Sequence, residues 1–213
     1  MQSHIEDNLK LKVRDDGLHF MSSIPSDTIP CAFFDPQYRG VMEKLNYGNE
    51  GARQIERAGL PQMTNEIIVQ FIQELNRVLT PSGHLFLWVD KFHLVEGVSP
   101  WLENTNLNLV DLVTWDKKTF GMGYRTRRTS EYLIVIQKTP KRAKGVWTDH
   151  SIRDVWSEKV DGHTHAKPER LQETLISAVT KPGDVILDPA AGGYSVMRSA
   201  LRCGRQFIGC DLI

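Results

Sequence analysis

The chain has 213 residues and balanced charge, with 26 Lys and Arg against 26 Asp and Glu. That length suits one α/β domain with a sizeable core, and zero net charge means that nucleic-acid binding must be argued from local patches. The three cysteines exclude a disulfide framework and fit a reducing, cytoplasmic setting. No metal-ligand spacing is present, the N-terminus has no signal-like apolar region, and no run approaches the ~18 apolar residues of a membrane span.

In chain order, Cys31 to Phe34 is a short apolar strand that runs into Asp35-Pro36-Gln37-Tyr38. An acid, a proline and an aromatic at a strand end form a grip for a planar exocyclic amine. The Asp35 carboxylate and the Pro36 carbonyl can both accept from one amino group, and Tyr38 can stack on the ring that carries it. The polar segment 39–63 follows, with Arg39, Lys44, Arg53 and Arg57 as a basic patch. Asn65 to Leu79 carries a helical stripe of apolar residues that Thr64 or Asn65 can cap. Pro81-Ser82-Gly83 then breaks the pattern before a buried strand at Leu85 to Val89.

Further strands are expected at Leu109–Trp115 and Tyr132–Gln137, with basic loops at 117–130 and 138–150. Those loops hold Lys117, Lys118, Arg125, Arg127 and Arg128, then Lys138, Lys141, Arg142 and Lys144, with Tyr124 and Trp147 interleaved. Such loops at the mouth of a site suit phosphate contacts. Pro168 sits where a first helical residue should, and Leu171, Leu175, Ile176 and Val179 make a stripe. A turn at Lys181–Asp184 leads into a strand at Val185–Leu187. A helix from Tyr194 to Cys203, ended by Gly204, precedes a strand at Gln206–Cys210. Helix, turn and continuous apolar strand occur twice, which predicts a mainly parallel sheet covered on both faces.

The segment Asp188-Pro-Ala-Ala-Gly-Gly193 is a small-residue loop between a strand and a helix, and the next strand ends in Asp211. Small residues let a ligand approach the backbone closely, and an acid about 20 residues on can accept from two ribose hydroxyls. The Gly-x-x-x-x-Gly-Lys phosphate cradle is absent, so a nucleoside without phosphates fits better than a nucleotide. If both signature loops follow neighbouring strands at a topological switch point, they meet in one crevice. With Pro168 starting a helix, the Lys167 ammonium and the helix N-terminus would favour an anionic group such as a ligand carboxylate. His163 and His165 could line the same site.

These motifs resemble the β group of amino DNA methyltransferases. Asp35-Pro36-Gln37-Tyr38 resembles the group's Asp-Pro-Pro-Tyr tetrad, and Asp188-Pro-Ala-Ala-Gly-Gly resembles its S-adenosylmethionine loop. Val155-Trp156, His163 to Leu171, Leu112 to Lys117 and Arg128 to Tyr132 resemble its intervening elements, and the catalytic tetrad precedes the cofactor loop as in that group. Gln37, Ala190 and Gly193-Tyr194 depart from the family pattern. The resemblance implies a doubly wound, mostly parallel Rossmann-like methyltransferase sheet of about seven strands with permuted motif order. It also implies a single domain over 1–213.

The function implied is a site-specific DNA methyltransferase of the restriction–modification kind. It would act on an exocyclic amine of a base flipped out of double-stranded DNA, preferring adenine-N6 because cytosine-N4 members often carry Ser at position 35. Asp35, Pro36 and Tyr38 are then catalytic. Asp16, Asp35, Lys167, Asp188, Ala190, Gly192 and Asp211 hold S-adenosylmethionine, with Asp16 near its adenine. Arg39, Lys117, Arg125, Arg127, Arg128, Lys141 and Arg142 meet the nucleic acid. Cytosine-N4 methylation, an RNA or protein amine as substrate, and a non-catalytic binding subunit stand as alternatives. A nucleotide-dependent oxidoreductase is disfavoured by the glycine spacing. Segment 39–63, a second copy or a specificity subunit would read the DNA sequence.

Overall fold

The computed structural model describes residues 10–37, 63–121, 126–160 and 166–212. Eight described strands form one sheet in the order β1-β8-β7-β2-β3-β5-β4-β6. They are β1 (Lys10–Arg14), β2 (Ile29–Phe34), β3 (Leu79–Val89), β4 (Leu107–Asp116), β5 (Ser130–Lys138), β6 (Val155–Ser157), β7 (Val185–Asp188) and β8 (Gln206–Asp211). The described helices are α1 (Gly17–Ser22), α2 (Asn65–Val78), α3 (Lys91–Glu96), α4 (Ser99–Leu102), α5 (Glu169–Val179) and α6 (Ser195–Arg202). No described helix is long and apolar enough to cross a membrane.

The sheet is parallel from β1 through β3, while β5 runs antiparallel between β3 and β4. Each central strand is buried on both faces. In β2, Ala32 and Phe34 pack toward α1 and α2, and Cys31 and Phe33 toward α5 and α6. That explains why β2 reads as a continuous apolar run rather than an alternation. The stripe of α2 (Ile68, Phe71, Ile72, Leu75, Val78) is buried, and Phe71 stacks on Phe34 with ring centroids 4.9 Å apart. Truncating one of these aliphatic side chains to alanine should cost about 2–5 kcal/mol.

Thr64 caps α2 through the Ile67 amide, as its hydroxyl chemistry predicts. The expected break at Pro81-Ser82-Gly83 lies inside β3 as a bulge: Ile29 pairs with Leu79, but Cys31 already pairs with His84. Pro81 cannot donate to the ladder, so the extra residues loop out and pairing resumes beyond them. Pro168 is the N-cap of α5 rather than its first helical residue. Edge strands β1 and β6, which lack an apolar run, bring the described strands to eight where about seven were expected.

Candidate active site

The two signature loops meet. From β2 the chain crosses through α2 to β3 on one side, and from β7 it crosses through α6 to β8 on the other. β7 and β2 are themselves paired, Cys31 with Ile186 and Ala32 with Leu187. This is a topological switch point, where the connections diverge and leave a crevice at the carboxyl ends of the strands. Asp35 and Pro36 leave β2 into that crevice and Asp188 ends β7 beside it; Asp35 is half-exposed, Pro36 and Asp188 buried.

A cleft of about 1070 Å³ opens there, lined by Asp16, Asp35, Lys167, Asp188, Ala190, Gly192 and Asp211 together with apolar Phe33, Ile67, Phe71 and Trp88. The seven residues that the sequence assigns to a cofactor thus share one cavity. The small-residue loop is tied to β8: the Ala191 amide donates to the Cys210 carbonyl at 2.9 Å and the Gly192 amide to Asp211 Oδ2 at 2.7 Å. Asp211 therefore shapes the loop as well as facing the cleft. Asp16 caps α1 by accepting from the Leu18 and His19 amides at 2.9 and 3.2 Å. Gly17, which sequence reasoning missed, is needed where α1 passes under the loop, since a Cβ there would collide with the Pro189 carbonyl and the Phe71 ring.

The charge balance of the cleft fits a cationic nucleoside. Burial pushes the Asp188 carboxyl up to about 8; the Ala190 amide opposes this, Asp35 and Asp211 add to it, and Lys167 works against it. Three carboxyl groups converge on a partly apolar cavity, and a ligand carrying positive charge would favour the ionised form of the buried one. S-adenosylmethionine carries a sulfonium and no phosphate, and matches both properties.

A second, smaller cleft of about 230 Å³ adjoins the first and shares Asp35, Trp88 and Lys167 with it. Between the two lies a row of alternating charges. Lys167 Nζ is 3.0 Å from Asp35 Oδ2 and 3.0 Å from Glu131 Oε2, and 4.6 Å above the Trp88 ring. Glu131 Oε1 is in turn 3.0 Å from Lys117 Nζ. Burial alone would lower the Lys167 pKa, but Asp35 and Glu131 outweigh it and raise it. The ammonium that the sequence assigns to a ligand carboxylate is thus engaged by two carboxylates of the chain itself. The α5 N-terminus is also satisfied internally: Glu158 accepts from the Arg170 and Leu171 amides, both at 3.1 Å. Neither Glu131 nor Glu158 stands out in sequence as a partner, because each pairing joins segments distant along the chain.

The basic residues separate. Arg127 and Arg128 line the small cleft. Lys117 lines it too but is paired with Glu131, and Lys118 is paired with Asp116 at 3.0 Å. Lys141 and Arg142 do not lie at the mouth as the sequence suggests. β5 is antiparallel to β3, so its end at Lys138 lies beside the start of β3, at the sheet edge opposite the clefts. The loop after it is fastened there by Gln137, whose Nε2 donates to the Ser82 and Arg142 carbonyls at 3.1 and 2.8 Å. Lys138 itself is buried against Asp27 at 2.7 Å. Tyr38, Arg39, Lys44, Arg53, Arg57, Tyr124, Arg125, His163 and His165 lie outside the described residues.

Fold and cleft together define a class: α/β proteins with a crevice at a topological switch point, the place where such sheets hold nucleoside-bearing ligands. A family model described as DNA methylase matches residues 31–213. The chain is 62% identical over 206 residues to the Type II methyltransferase M.HhaII of Haemophilus parahaemolyticus, covering 95% of this chain and 90% of that protein. In fold it resembles the PvuII DNA methyltransferase (cytosine-N4-specific) with a TM-score of 0.69 at 14% identity, over 95% of this chain and 81% of that one. It also resembles the M1.HpyAVI–SAM complex with a TM-score of 0.66 at 17% identity, over 95% and 93%. The chain belongs to the DNA methylase family that modifies adenine N6 or cytosine N4, and its methyl donor is S-adenosylmethionine.

Proposed function

We propose that the protein methylates the N6 amine of an adenine flipped out of a DNA duplex. The observation that carries this reading is the sharing of Asp35, Trp88 and Lys167 by two adjoining clefts. A donor in the larger and a base in the smaller would face each other across the Asp35 loop. Asp35 rather than Ser at that position supports adenine. When bound, the donor supplies a methyl group made electrophilic by its sulfonium, so the chain's task is to position the reactants and exclude water.

The Asp35 carboxylate and the Pro36 carbonyl accept hydrogen bonds from the amine and aim its nitrogen, and Tyr38 stacks on the base. Asp16, Asp188, Ala190, Gly192 and Asp211 hold the donor. Arg127 and Arg128, with Arg39 and Arg125, neutralise phosphates beside the flipped nucleotide. Residues 1–213 act as one domain, and either segment 39–63 or a second subunit, a copy of this chain or a specificity subunit, reads the DNA sequence.

The test is transfer of tritiated methyl from S-adenosylmethionine to unmethylated genomic DNA, followed by nucleoside analysis, with Asp35→Ala alongside. Label on adenine N6, reduced about 100-fold or more in Asp35→Ala, is expected. Label on cytosine N4 would overturn the adenine assignment, and label on neither base would overturn DNA as the substrate.

A further inference from the structure

We propose that Lys167 is a positioning residue for methyl transfer. Anchored by Glu131, it pins one carboxylate oxygen of Asp35 so that the other is presented to the acceptor amine. The inference rests on the reading of Asp35 given above and extends it. Asp35 sits on a loop just beyond β2, with its side chain 42% exposed. A carboxylate so placed has rotational freedom that a fixed hydrogen-bond acceptor must lose. Lys167 is suited to remove it. Its side chain is only 16% exposed, and its Nζ is held at 3.0 Å by Glu131 Oε2 while reaching Asp35 Oδ2 at the same distance. The face of Trp88 lies 4.6 Å below.

Glu131 is fixed on β5 and by Lys117 at 3.0 Å, so the anchor belongs to the sheet rather than to a loop. A single ammonium thus couples a sheet residue to the reacting group.

The experiment measures single-turnover methyl transfer to unmethylated genomic DNA and S-adenosylmethionine binding by calorimetry. The proteins are wild type, Lys167→Met, Lys167→Arg, Glu131→Gln and the Glu131→Gln/Lys167→Met double variant. Lys167→Met should slow transfer by about 100-fold while the donor dissociation constant stays within about threefold, because the loss falls on the transition state and not on donor binding. Lys167→Arg should recover about tenfold of that loss. Glu131→Gln should slow the wild type by about tenfold yet change the Lys167→Met protein less than twofold, since residues acting through one another are not additive.

If Lys167→Met instead weakens donor binding tenfold or more and leaves the saturated rate unchanged, Lys167 serves the donor's carboxylate and the proposal falls. Additive losses from Glu131→Gln would overturn the coupling. If Lys167→Met fails to fold, the Lys167→Arg and Glu131→Gln proteins decide: unaltered transfer in both would overturn the proposal. Wild-type protein that binds donor but labels no DNA would instead overturn the function on which the inference rests.

Discussion

Asp188 shows most plainly how burial in this cleft opposes the charge of a side chain. Its carboxyl is buried at the end of β7 and pushed up to about 8. Its folded-state pKa is thus raised above the ordinary value, so its favourable contribution is complete below about pH 4 and is lost as pH rises to about 8. Asp188→Asn removes that dependence. We expect the melting temperature of the donor-free variant to gain on wild type steadily from pH 4 to pH 8 and to level off above. The widening should amount to about 10 °C or more, from a limiting slope of about 1.4 kcal/mol per pH unit across that range. The same variant should lose donor affinity by about tenfold or more at about pH 9, where most of the wild-type carboxylate is ionised and attracts a cation. A pH-independent melting difference would show that Asp188 is accommodated without strain. At this scale the sequence was informative where chemistry is local: Asp35, Asp188 and Asp211 all sit at strand ends and line the crevice. It was uninformative about Lys167, because the two carboxylates that engage its ammonium come from β5 and from the loop after β2.

At the scale of elements, the hairpin formed by β4 and β5 decides which basic loop lies beside the clefts. Its connecting loop returns to the cleft edge, closed by the Lys117 amide on the Thr129 carbonyl and the Gly121 amide on the Arg128 carbonyl, both at 2.8 Å. The loop after β5 leaves at the opposite edge. Both loops read alike in sequence, as basic and turn-rich, and the direction of β5 that separates them is not written in either. The separation is measurable. Neutralising Arg127 and Arg128 to Gln should flatten the dependence of log affinity for duplex DNA on log salt by about 2, one phosphate contact each. Neutralising Lys141 and Arg142 should leave the slope as it is. Equal changes from both pairs would place DNA along both sheet edges. By contrast, α2, α5, β3 and β7 were legible because their apolar stripes and runs face a core on one or both sides. β1 and β6 escaped notice because edge strands need no apolar run.

Across the whole molecule, the larger cleft draws on segments from both ends of the described chain. β1 pairs with β8, the Asp15 amide donates to the Asp211 carbonyl at 3.1 Å, and Arg14 Nε donates to the Leu212 carbonyl at 3.1 Å. Donor binding should therefore tighten one flank of the sheet and not the other. On adding S-adenosylmethionine, amide exchange should slow about tenfold in β1, β8 and the loop between β7 and α6, and stay unchanged in β4 and β6. Uniform protection across all strands would mean that the sheet responds as a single unit.

The pairing of β1 with β8 also matters during synthesis. On a ribosome, β1 emerges long before its neighbour in the sheet exists. It must wait through the making of nearly every other strand. Its sequence, Lys-Leu-Lys-Val-Arg, places a positive charge at every second position, a spacing that discourages premature strand pairing. An unfinished chain lacks β8, and with it Asp211 and the strand that ties down the small-residue loop of the larger cleft. Ribosome-bound chains that stop short of β8 should therefore bind no S-adenosylmethionine, while chains that extend past it should.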